Sequence, residues 1–318
     1  MKLLLIIDLK DKYLEMIGEA FPDLTIIKSL EPVQQAREII DADFLVAGST
    51  PDLELIKKGE KLKLIQTWSA GVDRYLKKEI VEHLAEKKIM LISMSGIHGD
   101  PIAEHVLGLI INYTRRLYDL YEAQKERKWQ WLKVDQLAGK NMVIVGTGSI
   151  GQEIARRARA FKMKTIGVKR KVEGKVDYFD EVYSNSQVEA ALKEGDYIVA
   201  ALPLTEESKG FFGEREFALM KESAFFINIA RGEVVDEGAL IKALKEGRIA
   251  GAALDVFTEE PLSPTSPFYG LENVYITPHI SAAHPDYNLK ATRLFIDNLK
   301  NYLEKKEIRN LVDYNRGY

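Results

Sequence analysis

The sequence contains no cysteine, which excludes disulfide bonds, thiolate metal sites and thiol nucleophiles. It also lacks an excess of either charge, since 45 basic and 48 acidic side chains leave a formal net charge of -3. This balance provides no general attraction to nucleic acid or to an anionic membrane. We therefore expect neither kind of partner, and no metal centre.

Long apolar runs are missing as well. Residues 3–7 are apolar, but Asp8 and Lys10 follow directly. The run is much shorter than the roughly 20 residues of a membrane span, and it does not fit a secretory signal. We interpret it as a buried strand and expect a cytoplasmic protein.

Apolar segments of strand length alternate with amphipathic helical patterns in the first part of the chain. Helices are predicted at residues 11–20 and 33–40. Alternation of this kind predicts a parallel sheet with helices on both faces. The predicted strands of this part cover residues 3–7, 25–27, 44–47, 64–67 and 89–93.

A long helix and a second group of strands follow. Asp100 is predicted as the helix N-cap and Pro101 as its first residue, with the helix ending near residue 126. Further helices are predicted at residues 150–160, 237–246 and 285–305. Six strands with crossover helices are typical of a dinucleotide-binding domain. These strands cover residues 142–145, 165–168, 197–200, 225–229, 250–254 and 274–277.

A GxGxxG motif lies between the first of these six strands and its helix. Gly146 permits a tight turn, Gly148 lets the backbone approach a pyrophosphate, and Gly151 lets the helix pack against the strand. The free N–H groups at the helix start favour the anion. The motif predicts a dinucleotide site, to which we also assign Thr147, Ser149 and Ile150.

The next strand ends in a basic run that bears on the choice of coenzyme. Lys169, Arg170 and Lys171 occupy the position where an NAD site usually has an acid that bonds the ribose 2′-hydroxyl, and the next acid is Glu173. Lys and Arg would instead pair with a 2′-phosphate. We therefore favour NADP(H) over NAD(H); the alternative is a solvated basic turn.

Three reactive side chains follow three successive strands of the predicted nucleotide fold. Arg231, Glu260 and His279 come after the strands at residues 225–229, 250–254 and 274–277. Ligands of such sheets bind at the carboxyl ends of the strands. Arg clamps a carboxylate or carbonyl oxygen, a protonated imidazole donates to an oxygen that gains charge, and a carboxylate orients the imidazole. Each residue alone has an ordinary structural interpretation, but together they predict reduction of a 2-oxo acid.

Over nearly its whole length the chain resembles the D-isomer-specific 2-hydroxyacid dehydrogenases. The resemblance is carried by Ser-Ala-Gly-Val-Asp at 69–73, Ala-Glu-His at 103–105, Leu-Pro-Leu-Thr at 202–205, Ala-Arg-Gly at 230–232, Leu-Asp-Val-Phe at 254–257 and Thr-Pro-His at 277–279. It implies two α/β domains with doubly wound parallel sheets. One is a Rossmann nucleotide-binding domain at residues 99–283. The other is a smaller, discontinuous flavodoxin-like substrate domain at residues 1–98 and 284–318.

The resemblance also implies a role for each matching residue. Arg231 would hold the substrate carboxylate and polarise the carbonyl, and His279 would be the acid in reduction and the base in oxidation. Glu260, directly before Pro261, would pair with His279. Asp255 would bond the nicotinamide carboxamide. The remaining implied contacts are substrate binding by the backbone at Ser69, Ala70 and Gly71, and coenzyme binding at Leu202, Pro203, Thr205 and Ala230.

The leading functional prediction is a reductase of glyoxylate, hydroxypyruvate or a similar small 2-oxo acid, and the resemblance implies a homodimer. A 3-phosphoglycerate dehydrogenase stays open, since some of these enzymes lack the regulatory domain for which a chain ending at Tyr318 has no room. A nucleotide-sensing corepressor similar to the C-terminal-binding proteins is a further alternative. Those proteins also have the Arg, Glu and His, so the three reactive residues do not exclude it. A formate dehydrogenase is disfavoured, because those enzymes carry Gln in place of Glu260. The substrate side group and the physiological direction are not predicted.

Several further residues are assigned less firmly than the reactive ones. We expect Glu104 and His105 to serve packing or hinge roles, and we interpret His98 as a polar hinge-loop residue, with a place facing the cleft as the alternative. Trp129 and Trp131 have an interface, core or active-site role open to them. The last of these arises because, in relatives, a tryptophan of the neighbouring subunit can reach the active site. The residues proposed as walls of the substrate pocket are Ser49, Trp68 and Arg74.

Overall fold

The computed structural model describes residues 1–48, 50–172, 174–314 and 316–317. Ser49 and Glu173, which entered the predictions above, lie outside the described residues. The chain divides into two units, one formed by Met1–Ile97 with His284–Tyr318 and the other by His98–Ala283. Each unit is built on one parallel sheet.

The first unit has a five-stranded sheet in the order β2-β1-β3-β4-β5. All residues of β3 and β4 are buried, as expected where helices cover both faces of a parallel sheet. The sheet is doubly wound, because β2 lies on one side of β1 and β3 to β5 follow on the other side. The strands are β1 Lys2–Ile6, β2 Thr25–Lys28, β3 Phe44–Ala47, β4 Leu64–Thr67 and β5 Met90–Ile92. The helices of this unit are α1 Asp11–Ala20, α2 Pro32–Glu38, α3 Leu53–Lys57, α4 Lys78–Lys87 and α11 Tyr287–Leu303.

The second unit has a seven-stranded parallel sheet in the order β12-β11-β10-β9-β6-β7-β8. The strand order reverses beside β6, which is the position where ligands bind in sheets of this type. The strands are β6 Asn141–Val145, β7 Lys164–Lys169, β8 Glu181–Ser184, β9 Tyr197–Ala200, β10 Phe225–Asn228, β11 Gly251–Leu254 and β12 Val274–Ile276. The helices are α5 Gly99–Arg115, α6 Leu117–Lys125, α7 Ser149–Ala160, α8 Val188–Glu194, α9 Glu214–Leu219 and α10 Glu237–Lys245.

The predicted fold class, two doubly wound parallel-sheet α/β domains, is confirmed. One strand was missed: β8, at the sheet edge, has the sequence Glu-Val-Tyr-Ser, in which polar residues flank only two apolar ones. It lacks the continuous apolar run by which the other strands were found.

The helix predicted to run from Asp100 to about residue 126 is two helices. Arg116 adopts a left-handed conformation (φ 53°) that ends α5, and α6 begins at the next residue. The predicted N-cap was also wrong: His98 is the N-cap residue and α5 begins at Gly99, so Asp100 lies inside the first turn. Asp100 instead accepts a hydrogen bond from Arg157 of α7 at 2.6 Å. Across the described ranges, we find no helix with both the length and the apolar character needed to cross a membrane.

Candidate active site

The glycine loop after β6 has the geometry of a dinucleotide-binding turn. Gly146 has φ 111°, and a Cβ there would lie 2.3 Å from the Ala201 carbonyl oxygen. A Cβ on Gly151 would lie 2.0 Å from the Gly146 carbonyl oxygen, so this glycine lets α7 pack against the loop. A Cβ on Gly148, in contrast, would meet nothing within 4 Å. The space beside Gly148 at the start of a twelve-residue helix suits an approaching phosphate.

The basic run lies at the carboxyl end of β7, next to the glycine-loop strand β6 in the sheet. Lys169 is half-buried, while Arg170 and Lys171 are exposed. Arg170 Nη1 lies 3.8 Å from Glu207 Oε2, and both side chains are largely exposed, so this pair is weak. The guanidinium therefore remains available to a ligand anion.

The turn that carries Arg231 is held by Asn228, the last residue of β10. The Ala230 N–H donates to Asn228 Oδ1 at 3.1 Å, and Asn228 Nδ2 donates to the Arg231 carbonyl at 3.0 Å. Asn228 is buried, so its amide acts as a fixed brace for the turn. The sequence prediction assigned no role to Asn228, although its position at a strand end, three residues before Arg231, was the available signal.

The turn after β10 packs directly on the turn after β11. A Cβ on Gly232 would lie 1.9 Å from the Phe257 carbonyl carbon and 2.0 Å from the Thr258 nitrogen. Only glycine permits this backbone contact. The contact fixes the Arg231 turn against the segment that leads to Glu260.

His279 and Glu260 are in direct hydrogen-bond contact, the pairing that the family resemblance implied. His279 Nδ1 lies 2.7 Å from Glu260 Oε2, and the Phe257 N–H donates to Glu260 Oε1 at 3.0 Å. Both carboxylate oxygens are therefore engaged, and the imidazole orientation is set through Nδ1. The His279 side chain is 48% exposed, so its ring stays open to a ligand.

Asp255 holds His279 and the two residues that follow it. Its backbone carbonyl accepts from the His279 N–H at 2.8 Å. Its carboxylate accepts from the backbone N–H groups of Ile280 and Ser281, each at 3.0 Å, and its side chain is fully buried. His279 itself is left-handed (φ 51°), a conformation that residues with a Cβ rarely adopt. Contact of Asp255 with the nicotinamide carboxamide stays a prediction.

His105 was assigned to packing from the sequence, yet it belongs to this hydrogen-bond system. Its Nε2 lies 3.1 Å from Thr277 Oγ1, and the Thr277 hydroxyl donates to Asp255 Oδ1 at 2.6 Å. Burial lowers the pKa of His105, and the nearby Asp255 carboxylate opposes that shift. The sequence pointed to Thr277 only as part of a family motif. Spacing along the sequence could not have revealed the hydrogen bonds that connect His105, Thr277 and Asp255.

The predicted substrate loop lies after β4 in the first unit. The Thr67 hydroxyl donates to the Ser69 carbonyl at 2.7 Å, and Ser69 Oγ donates to the Gly71 carbonyl at 2.9 Å. Within the described residues, the N–H groups of Ala70 and Gly71 donate no hydrogen bond. The loop therefore has fixed carbonyls and two backbone donors open to an anion.

The nearby Trp68 is buried and bonded within the same unit. Its indole Nε1 donates to Asn288 Oδ1 at 3.0 Å, and the Tyr287 hydroxyl donates to its carbonyl at 2.6 Å. Burial raises the pKa of Tyr287 to about 12, which keeps the hydroxyl a donor. Arg74, the other described wall candidate, lies in a short 3₁₀ turn and is exposed.

The loop after β9 contains the remaining predicted coenzyme residues. Ser208 Oγ donates to the Pro203 carbonyl at 2.7 Å and accepts from the Thr205 N–H at 2.7 Å. Leu202 is half-buried and packs against the apolar core of the second unit. Ser208 thus fixes this loop, a role that the sequence did not predict. The loop lies beside the glycine turn, because Gly146 packs against the Ala201 carbonyl.

His98, Trp129 and Trp131 occupy very different environments. His98 is buried at the start of α5. Trp129 and Trp131 are 97% and 91% exposed, which rules out a place in the core of this chain. No cluster of three or more His, Cys, Asp or Glu side chains suited to a metal ion occurs among residues whose placement is described.

The geometry defines a class of protein: a dinucleotide-binding α/β oxidoreductase with an imidazole–carboxylate pair at the carboxyl ends of its strands. Comparison with known families agrees. Residues 107–281 match the model of the D-isomer specific 2-hydroxyacid dehydrogenase NAD-binding domain. The chain belongs to the D-isomer specific 2-hydroxyacid dehydrogenase family, and it is an NAD(P)-dependent oxidoreductase of that family.

Individual relatives cover most of the chain. Glyoxylate/hydroxypyruvate reductase B of Salmonella typhimurium is 35% identical over 307 residues, which are 93% of each protein. D-3-phosphoglycerate dehydrogenase of Methanocaldococcus jannaschii is 33% identical over 95% of this chain but only 57% of its own length. The structure of an NADPH-dependent glyoxylate/hydroxypyruvate reductase of Sinorhizobium meliloti, in complex with NADP and sulfate, superimposes with a TM-score of 0.87. It is 26% identical, covering 100% of this chain and 99% of its own. The predicted family and enzyme class are confirmed.

Proposed function

We propose that this enzyme reduces glyoxylate, hydroxypyruvate or a similarly small 2-oxo acid to the corresponding 2-hydroxy acid, with NADPH as the preferred coenzyme. The observation that carries the proposal is the 2.7 Å contact between His279 Nδ1 and Glu260 Oε2 beside an open imidazole face. With Nδ1 engaged by the carboxylate, Nε2 is the nitrogen left to deliver a proton to the substrate oxygen. The name of the Salmonella typhimurium relative supports the choice of substrate.

Arg231 is proposed to bind the substrate carboxylate and to polarise the carbonyl. A guanidinium suits both tasks because it offers paired N–H donors in a plane. The brace from Asn228 and the backbone contact at Gly232 hold its turn in place. The open N–H groups at Ala70 and Gly71 are proposed to bind the substrate carboxylate as well, with Ser69 as part of their loop.

The coenzyme is proposed to bind along the loops at the switch point of the larger sheet. When bound, the reduced nicotinamide supplies the hydride. The glycine loop at 146–151 would hold the pyrophosphate, and the carboxylate of Asp255 is proposed to meet the carboxamide. Lys169, Arg170 and Lys171 would pair with a 2′-phosphate, which supports NADPH over NADH. The other proposed coenzyme contacts are Leu202, Pro203, Thr205 and Ala230.

We further propose residues 99–283 as the nucleotide-binding domain and residues 1–98 with 284–318 as the substrate domain. A cytoplasmic homodimer is proposed as the working form. Its support is a series of exposed apolar side chains along α6 and the segment after it, since concentrated apolar exposure is typical of interaction sites. These side chains are Leu117, Tyr118, Leu120, Tyr121, Trp129 and Trp131. Light scattering of wild type and of Trp129→Ser/Trp131→Ser would test it, and a monomeric wild type would contradict it.

The substrate proposal is tested by following nicotinamide absorbance with NADPH or NADH and a panel of acids. The panel includes glyoxylate, hydroxypyruvate, pyruvate and 3-phosphohydroxypyruvate. We expect turnover of glyoxylate and hydroxypyruvate with NADPH. Preference for the phosphorylated acid would identify a 3-phosphoglycerate dehydrogenase instead. Absence of turnover together with partner capture that requires dinucleotide would favour a nucleotide-sensing protein.

Arg231→Ala provides the matched test of mechanism. Loss of a group that stabilises developing charge lowers kcat/KM by about 10²–10³-fold. The control is Arg215→Ala on α9. The Arg215 guanidinium is exposed, and its Nη2 lies 3.5 Å from Glu189 Oε2. Equal rates for both variants would remove Arg231 from the mechanism.

A further inference from the structure

A chain of three side chains connects helix α5 to the segment that carries His279. His105 Nε2 lies 3.1 Å from Thr277 Oγ1, and the Thr277 hydroxyl lies 2.6 Å from Asp255 Oδ1. All three side chains are half-buried or buried, so water competes little for these bonds. The whole chain lies within the second unit.

The direction of each hydrogen bond follows from the donors available. A carboxylate oxygen can only accept, so the Thr277 hydroxyl must donate its single proton to Asp255. The hydroxyl oxygen is then an acceptor toward His105, which must carry its proton on Nε2. The geometry therefore selects one tautomer of His105 and uses it as a donor.

The far end of the chain acts on His279. The carboxylate of Asp255 accepts from the N–H groups of Ile280 and Ser281, and its carbonyl accepts from the N–H of His279. These bonds enclose a residue with φ 51°, an unfavourable backbone conformation for a side chain with a Cβ. A rotation of the Asp255 carboxylate would release two of the three bonds.

The near end of the chain is anchored in the core. The buried face of α5 includes Ile102, Val106 and Ile110, which belong to the same apolar cluster as Ile144 and Ile227 of the central strands. A donor on this helix is a fixed reference point, unlike a donor on a loop. It can hold the Thr277 hydroxyl, and with it the Asp255 carboxylate, in one orientation.

We propose that His105 is a positioning residue for the acid–base histidine, acting on His279 through Thr277 and Asp255. Its consequence for turnover rests on the proposed function, but its effect on the His279 environment does not. His105 touches neither reacting atom in this account. It sets the backbone geometry from which the His279 imidazole projects toward its ligand.

The test uses two variants of His105 and two of Thr277 in the full chain. His105→Gln keeps an N–H donor near the position of Nε2, whereas His105→Leu removes it. Thr277→Ser keeps the hydroxyl, whereas Thr277→Val removes it at similar volume. We expect kcat for 2-oxo acid reduction to fall about tenfold in His105→Leu and Thr277→Val, the scale of one lost buried hydrogen bond. The Gln and Ser variants should stay within about threefold of wild type.

The second readout needs no activity. The sequence has five histidines, so imidazole signals from histidine-labelled protein can be assigned one by one with single substitutions. The His279 signals should move in His105→Leu and Thr277→Val, and should return to the wild-type position in the Gln and Ser variants. The control is His83→Gln on α4 of the other unit, which should change neither kcat nor the His279 signals.

The outcomes separate the two proposals. A wild type that reduces no acid in the panel, with His279 signals that respond as described, would overturn the proposed function and keep the positioning role. An active wild type whose His279 signals and kcat are the same in His105→Leu would overturn the positioning role. Equal impairment of the Leu and Gln variants would also overturn it, because shape and not the donor would then matter. If His105→Leu does not fold, the Thr277 pair decides by the same two readouts.

Discussion

The backbones of Gly232 and Phe257 are in direct contact, since a Cβ on Gly232 would lie 1.9 Å from the Phe257 carbonyl carbon. Gly232→Ala should therefore force the two turns apart. We expect a loss of about 3 kcal/mol in the free energy of unfolding, at the upper end for added volume in a packed region. The Phe257 N–H also donates to Glu260, so kcat should fall even at temperatures where the variant is folded.

Gly108→Ala is the control for the Gly232 variant. It adds the same methyl group in α5 at a site where a Cβ would meet nothing within 4 Å. Its stability should match wild type or rise by about 0.5–1 kcal/mol, because alanine favours a helix interior over glycine. Chemical unfolding of both variants measures the difference, and equal curves would contradict the contact described.

Gly148 differs from its neighbours in the glycine loop in a way that separates stability from coenzyme binding. Because a Cβ there would meet nothing within 4 Å, Gly148→Ala should unfold at the wild-type temperature. The same Cβ would stand where the pyrophosphate is proposed to approach, and we expect the KM for NADPH to rise about tenfold or more.

The other two glycines of the motif serve as contrasts. Gly146→Ala and Gly151→Ala would place a Cβ 2.3 Å and 2.0 Å from carbonyl oxygens, so both should be destabilised before any coenzyme is added. Thermal unfolding in the absence of coenzyme, paired with coenzyme titration, gives both quantities. If Gly148→Ala bound NADPH like wild type, the loop would not be the pyrophosphate site.

Arg170 should determine the preference for NADPH over NADH, with little effect on the binding of NADH itself. Arg170→Ala removes a charge-assisted contact to a 2′-phosphate, which is expected to raise the KM for NADPH by about 10-fold to 100-fold. The KM for NADH should change little, since NADH has no phosphate there. Steady-state kinetics with both coenzymes measure the ratio, and Arg215→Ala controls for the change in net charge. An equal effect on NADPH and NADH would show that Arg170 is a solvated surface residue.

The strands were predictable from the sequence wherever apolar residues form a continuous run. The fully buried strands β3 and β4 were predicted with the bounds that they have in the structure. The edge strand β8 was missed because its sequence, Glu-Val-Tyr-Ser, has only two apolar residues between polar ends. The break at Arg116 was missed because nothing in the helical pattern signals a left-handed residue there.

Site residues were predictable from the sequence where they come shortly after the carboxyl end of a predicted strand. The His279–Glu260 pair was predicted from that placement and from the family resemblance, and the structure brings the two together. The His105–Thr277 contact joins residues 172 positions apart, on a helix and at a strand end, and no local pattern encodes such a pairing. The backbone contact at Gly232 was equally invisible, because a glycine in the sequence does not show what packs against it.

His105 should also make stability depend on pH in a defined direction. Burial lowers its pKa below 6.5 in the folded chain, against the opposing effect of Asp255. Below pH 6.5 the unfolded chain therefore takes up a proton that the folded chain resists, and the free energy of unfolding falls as the pH drops toward the folded-state value. His105→Gln removes this term, so its unfolding temperature should decrease less than that of wild type between pH 7.5 and pH 5. Differential scanning calorimetry at several pH values measures the slope, and His83→Gln reports any general effect of removing a histidine. A slope in His105→Gln as steep as in wild type would mean that His105 does not resist protonation in the folded chain.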